Sequence, residues 1–259
     1  MEISMVQALL VAVFSAVCMA GNLIGIYTNR CIVMATGVGI ILGDVTTGLA
    51  IGAIGELAMM GFGVSQGGST PPNHIGPGVV GAVIAITTGL DPAAAFALAY
   101  PIGIMVATIL PFVYTISATI NAWAIKELEK NNFTAFRIAA NNSVWLFALV
   151  GFIVGLGACL SVEGLTAIVN MIPTHVLDAL TVASNFLPAI GFAMILSVMM
   201  KKEVIPFVIL GYACWAFFGL DAVKTTIIAV MIVLILLFNN KGGAAVEEEE
   251  QEVVFEDGI

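Results

Sequence analysis

Charge is scarce in this sequence. Only 10% of its 259 residues are Asp, Glu, Lys or Arg, against about 25% in soluble domains, which excludes an ordinary water-soluble globule. Catalytic signatures are missing too. No GxxxxGK[ST] loop is present to cradle a nucleotide phosphate, and no HExxH or comparable metal-ligand run occurs. The only histidines, His74 and His175, lie far apart. Four cysteines (Cys18, Cys31, Cys159, Cys214) sit in apolar surroundings without paired spacing. They read as small buried hydrophobes rather than disulfides or metal ligands. No cofactor is called for, and nothing points to nucleic acid.

What fills the chain is apolar: 60% of residues are hydrophobic and the mean hydropathy is +1.09. This is an all-α polytopic membrane protein in contact with membrane lipid. The first apolar run, Met5–Ala20, follows one acid and lacks the basic flank of a cleaved signal peptide, so it is expected to be retained. The net charge of −9 is concentrated at one end. Residues 247–257 hold seven acids and no base, leaving ten acids against eight bases elsewhere. The expected division is a membrane domain over 1–240 and an acidic, solvated tail over 241–259. In that tail only the last five residues, with apolar Phe255 and Ile259, are read as a docking contact.

Along the chain, Met5–Ile26 is an apolar stretch of spanning length, closed by Tyr27-Thr28-Asn29-Arg30. Residues 32–62 are too long for one span and break at Gly43-Asp44, giving two short pieces near 32–42 and 46–62. Residues 76–88 and 93–125 repeat the pattern, interrupted by Gly89-Leu90-Asp91-Pro92 and then by Pro101 and Pro111. Short apolar segments broken by Gly and Pro point to the discontinuous helices of secondary transporters. Lys126–Arg137 is expected as an aqueous loop, 144–160 as a returning span, 161–181 as an interfacial amphipathic stretch and 186–200 as a further crossing. Residues 204–238, split at Gly219-Leu220-Asp221, read as a helical hairpin. The bases of 126–137, Lys201, Lys202 and Lys241 then mark one side as cytoplasmic, and the tail with it.

The stretch 37–73 carries the chemistry. It holds two carboxylates, Asp44 and Glu56, in glycine-rich apolar sequence, then a polar loop from Ser65 to Asn73. A charge inside a hydrophobic span costs roughly 2.5–3.5 kcal/mol on insertion scales and usually faces a cavity or substrate route. Asp44 is placed to cap the helix that restarts after it, and Asp91 before Pro92 likewise. Glu56, Gln66 and Asn73, with the exposed backbone of Gly67 and Gly68, supply groups suited to several sugar hydroxyls at once. The alternative is that Glu56 pairs with a partner such as Arg30 and the loop merely caps a hairpin. His74, beside the loop, is a candidate sugar contact or a structural hydrogen bond.

The opening MEIS…Gln7, the LGDxxTG run at 42–48, the GxxGELxxMG run at 52–61 and Pro71-Pro72-Asn73 resemble one family. It is the IIC membrane subunit of mannose-family (mannose, fructose, sorbose) phosphoenolpyruvate-dependent sugar phosphotransferase systems. The likeness continues through LPAIGFA at 187–193, IPFVILGY at 205–212 and FEDGI at 255–259. The Pro71-Pro72-Asn73 run, that LPAIGFA–IPFVILGY pair and the terminal FEDGI look closest to the N-acetylgalactosamine/galactosamine type. Mannose-type members carry Pro-Asp where this chain has Pro72-Asn73.

The resemblance implies transmembrane helices with broken or re-entrant hairpins, and an elevator-type movement of a core against a scaffold. It also implies a IID membrane partner, a trimer of IIC–IID pairs, and IIA and IIB components that carry the phosphoryl group on histidines. The chain itself would be a permease subunit rather than an enzyme. Carried onto these positions, the sugar site is Gln7, Glu56, Ser65, Gln66, Gly67, Gly68 and Asn73. Two other classes compete: a cation-coupled transporter using Asp44 and Glu56 as an ion relay, and a non-transporting receptor, for which no residue speaks.

Overall fold

The computed structural model describes residues 3–60, 72–202 and 204–240. The Ser65–Gly68 part of the polar loop, and the acidic tail, lie outside the described residues. The chain divides into two compact units, Met1–Val198 and Met199–Ile259. Every element among the described residues is helical. Among the described residues three helices are long and apolar enough to cross a membrane: α5 (Pro92–Glu129), α7 (Asn142–Leu160) and α9 (Thr174–Met199).

In the first unit, α1 (Met5–Gly21) opens with a reciprocal cap. Ser4 Oγ accepts from Gln7 N, and Gln7 Oε1 accepts from Ser4 N. The helix stops at Gly21, short of the expected Ile26. The chain reverses there through Gly25, at φ 82°, and Tyr27, at φ 55°, while Thr28 Oγ1 donates to the Cys18 carbonyl at 2.9 Å. A hydroxyl thus takes one of the carbonyls that a helix end leaves free.

Helices α2 (Cys31–Leu42) and α3 (Val45–Met59) form an antiparallel pair joined at Gly43, whose φ of 89° suits glycine. Asp44 follows as the cap of α3, accepting from Thr47 N at 3.1 Å and Thr47 Oγ1 at 2.6 Å. At 1.5 Å per residue these helices are only about 18 and 22 Å long, too short to cross a hydrocarbon core of about 30 Å. The next pair repeats the device. A π-helical turn (Gly76–Val80) runs into α4 (Gly81–Thr88), which ends at Gly89 with φ 70°. Asp91 Oδ2 then accepts from Ala93 N at 2.9 Å to start α5.

Pro101 and Pro111 do not divide α5, contrary to the expectation of a break: it is one helix of 38 residues. Proline cannot donate, so each removes one ladder bond. The carbonyls left without their N–H are those of Ala97 and Ala107, and a membrane helix packed against its neighbours carries such a loss without breaking. The expected aqueous loop at 126–137 is mostly helix as well, made of the end of α5 and α6 (Phe133–Ala140). There Glu127 accepts from Lys130 Nζ at 2.7 Å and Asn132 Nδ2 at 3.1 Å.

The stretch expected to be interfacial contains α8 (Val162–Met171) and, after Pro173, the first two turns of α9, so that crossing begins earlier than 186. His175 is exposed near that start. In the second unit, α10 (Ile205–Phe218) and α11 (Ala222–Asn240) are joined through Gly219, at φ 60°, and Asp221, whose carboxylate accepts from Ala222 N.

The buried core of the first unit joins α1, α2, α4, α5 and α7 through residues such as Met19, Met34, Val79, Val83 and Phe147. One close seam is α1 against an antiparallel α7. A Cβ on Gly155 would lie 2.7 Å from Ser15 Oγ and 3.1 Å from the Ala12 Cα, so the two backbones approach as closely as only glycine permits. The four cysteines are buried and unpaired. Large apolar side chains elsewhere face outward, Phe112, Trp145 and Phe217 among them, which is the surface a lipid environment requires.

Candidate sugar site

Glu56 projects from the last turn of α3, and Arg30 occupies the position just before α2. Their carboxylate and guanidinium form an ion pair, Arg30 Nη2 to Glu56 Oε1. Glu56 is largely shielded, its side chain 16% exposed, whereas that of Arg30 is 46% exposed. Glu56 Oε2 also receives the Ile32 N–H at 3.5 Å. The pair compensates a charge that the apolar helix could not hold alone.

Asn73 is buried and anchored on three sides. Its N–H donates to the Gly103 carbonyl of α5 at 2.9 Å, its Oδ1 accepts from Ile75 N at 3.0 Å, and its carbonyl accepts from Gly76 N at 3.3 Å. That docking needs glycine on α5, since a Cβ on Gly103 would stand 2.7 Å from the Asn73 carbonyl oxygen and 3.1 Å from Pro77 Cδ. The carbonyl of His74 accepts from Gly78 N at 2.8 Å, and the Cys31 thiol points to the same oxygen at 3.7 Å. The π-helical turn that follows thus begins directly behind two polar side chains, a place where such turns recur at functional sites.

Of these residues Arg30, Asn73 and His74 border a recess of about 390 Å³. One wall is the α1–α2 link, with Asn22, Tyr27, Asn29 and Arg30. The second is Pro72, Asn73 and His74, and the third is the middle of α5, with Ala107, Pro111 and Tyr114. The volume lies in the range of small-molecule sites, and a few convergent polar groups among apolar walls is what such a site requires. Pro111 adds an acceptor here, because it lacks the N–H that would otherwise bond the Ala107 carbonyl. A larger recess, about 760 Å³, runs along α10 and α11, but apart from Asp221, Thr225 and Thr226 its walls are apolar.

The sequence-derived residues therefore separate. Asn73 and His74 border the recess, and Glu56 reaches its edge through Arg30. Gln7 does not join them. It lies at the opposite end of α1 from Asn22, about 22 Å away along the helix axis, where it caps α1 and donates to the Ile41 carbonyl at 3.4 Å. Asp44 and Asp91 are both engaged at helix starts. Asn22, Tyr27, Asn29 and Tyr114 were not singled out by sequence reasoning as site residues. The available signal was the polar run at 27–30 between two apolar stretches, which reads by itself only as the end of a span. Among the described residues no group of three His, Cys, Asp or Glu comes together as metal ligands.

Residues 5–235 match the family described as the sorbose-specific IIC component of the phosphotransferase system. The chain belongs to this family. It is 32% identical over 188 residues to the N-acetylgalactosamine permease IIC component 1 of Escherichia coli K12, covering 72% of this chain and 70% of that protein. The mannose-specific EIIC component of the same strain is 28% identical over 232 residues, covering 88% and 86%. A solved structure described as a membrane protein superposes with a TM-score of 0.82 at 26% identity, over 91% of this chain and 96% of the other. The mannose transporter ManYZ in complex with microcin E492 superposes with a TM-score of 0.58, also at 26% identity, over 92% and 96%. As a IIC component the chain is a sugar-permease subunit of a phosphotransferase system in the bacterial membrane.

Proposed function

We propose that this chain is the sugar-translocating IIC subunit for N-acetylgalactosamine or galactosamine, passing its sugar inward to a IIB component that phosphorylates it. The observation that carries this reading is the recess itself. Asn73, His74 and Arg30, the last paired with Glu56 behind it, converge there from segments of broken helix, with donors and acceptors in the variety a polyhydroxylated ring needs. The choice of sugar is supported by the relative named for N-acetylgalactosamine, which shares more identity with this chain than the mannose- and sorbose-specific relatives do.

The helices flanking the site, α2, α3 and α4, are too short to span. They act as re-entrant hairpins near the midplane and carry the sugar as a body against longer helices, in an elevator-type movement. Two solved structures that share the same identity with this chain superpose on it to different extents, in keeping with a fold that takes more than one conformation. A IID subunit completes the permease, in a trimer of IIC–IID pairs. The histidines of IIA and IIB supply the phosphoryl group, and the acidic tail lies in the cytoplasm.

The test is uptake of radiolabelled N-acetylgalactosamine by cells holding the chain with its IIA, IIB and IID components. Accumulation as sugar phosphate, lost when IIB is deleted and outcompeted poorly by mannose or sorbose, is the expected result. Uptake that survives without IIB and collapses with the proton gradient would establish cation coupling instead.

A further inference from the structure

One turn of α5 leaves a backbone acceptor without its donor at the wall of the recess. Pro111 has no N–H, so the Ala107 carbonyl lacks the bond that residue 111 would supply in an uninterrupted helix, and the proline ring crowds that carbonyl out of line. We propose that the Ala107 carbonyl oxygen is a sugar-binding group, accepting a hydrogen bond from one hydroxyl of the sugar. The inference rests on the recess being the sugar site, and it adds to that reading a backbone group.

Placement is the first ground. Ala107, Leu110, Pro111 and Tyr114 form the α5 wall of the recess, at the spacing of a single helix face. Both ends of the missing bond therefore lie on that wall, the carbonyl and the ring that fails to donate to it. Little covers the backbone there, because Ala107 carries only a methyl group and Gly103, one turn earlier, has no side chain. That earlier turn shows that donors outside the helix reach this face. The Gly103 carbonyl accepts from Asn73 N at 2.9 Å, and Asn73 itself borders the recess.

The setting is the second ground. At membrane depth an unpaired backbone group is costly and persists only against protein or a water-filled cavity. Carbonyls freed where a helix is interrupted line the substrate sites of transporters. A carbonyl oxygen only accepts, so its partner is a donor, and each sugar hydroxyl is one. Pro101 supplies a contrast within the same helix. It frees the Ala97 carbonyl in the same way, but neither Ala97 nor Pro101 borders the recess.

The experiment uses the complete IIA–IIB–IIC–IID system in cells, offered N-acetylgalactosamine, galactosamine, mannose and sorbose. For the sugar that the unaltered system takes up best, apparent KM is measured, and each monodeoxy analogue of it is tested as a competitor. Pro111→Ala returns an N–H to the Ala107 carbonyl, so the purified IIC–IID complex should be at least as stable to heat as the parent. Its KM should nevertheless rise about tenfold, the size of one lost hydrogen bond at 1.4 kcal/mol per decade. At one ring position, the penalty for losing the hydroxyl should fall from about tenfold in the parent to less than twofold in the variant. Pro111→Gly restores the same N–H and should behave alike, whereas Pro101→Ala should change neither KM nor the analogue profile.

A KM within twofold of the parent for both Pro111 variants overturns the inference. So does a raised KM with an unchanged analogue profile, which would mark a structural effect, or the same changes in Pro101→Ala. The recess is tested separately by labelling Tyr27→Cys, at its exposed rim, with a maleimide in the purified complex. If sugar slows that labelling while the Pro111 variants transport normally, the recess remains the sugar site and only the carbonyl is dismissed. If sugar gives no protection, or none of the four sugars is taken up, both readings fall.

Discussion

Two tasks are open to Glu56, neutralising Arg30 and holding sugar, and a double-mutant cycle of Arg30→Gln with Glu56→Gln separates them. Unit charges at about 4 Å attract by about 1 kcal/mol in water and about 4 kcal/mol at an effective dielectric of 20. Glu56 is shielded but Arg30 is half open, so desolvation of the first and solvent screening of the second bring the expected coupling down to about 1–2 kcal/mol. In the purified IIC–IID complex each single variant should lose stability, and the double variant should lose about that much less than their sum.

Transport should behave differently. Replacing a charge-assisted hydrogen bond to sugar by a neutral one costs about 1–2 kcal/mol, or about five- to thirtyfold in kcat/KM. If Glu56 holds sugar, that deficit persists in the double variant even where stability is recovered. A double variant that regains uptake together with stability would refute the sugar role and leave Glu56 as the counter-ion of Arg30.

Asp44→Ala should cost about 1–2 kcal/mol of stability through loss of the α3 cap, with the apparent KM for sugar unchanged. Equal loss of KM and stability would move Asp44 into the site. Gly155→Val should force α7 off α1 at Ser15 and Ala12, destabilising the complex by about 1–3 kcal/mol and lowering the yield of inserted subunit. Unchanged thermal stability in detergent would count against that seam.

The broken helices were legible because their cause is local. Gly43-Asp44, Gly89-Leu90-Asp91 and Gly219-Leu220-Asp221 each pair a residue suited to left-handed backbone with one that caps the next helix, and each joins two helices in the structure. Pro101 and Pro111 were misleading for a physical reason: a missing N–H stops an exposed helix more readily than one packed among other helices. The shortening of α1 was hidden as well, because it depends on Thr28 folding back to Cys18. Within the site, the need of Glu56 for a partner could be read from its apolar setting, and Arg30 was the cation at hand. The wall formed by Asn29 and Tyr27 could not be read, since it exists only when the link faces the middle of α5, some eighty residues further along the chain.

The seam between α1 and α7 bears on how the subunit is made. Its two sides are separated by more than a hundred residues of chain, whereas α2 with α3 and α4 with α5 are joined by turns of a few residues. The hairpins can therefore close as they emerge from the ribosome, at the small loop-closure cost of short connections. Helix α1 has to wait in the bilayer, with Ala12, Ser15 and Ala16 uncovered, until α7 has been synthesised. Assembly of the first unit is then completed by α7 sealing against a helix inserted much earlier, and substitutions along that seam should trap nascent chains that are fully inserted but have not closed.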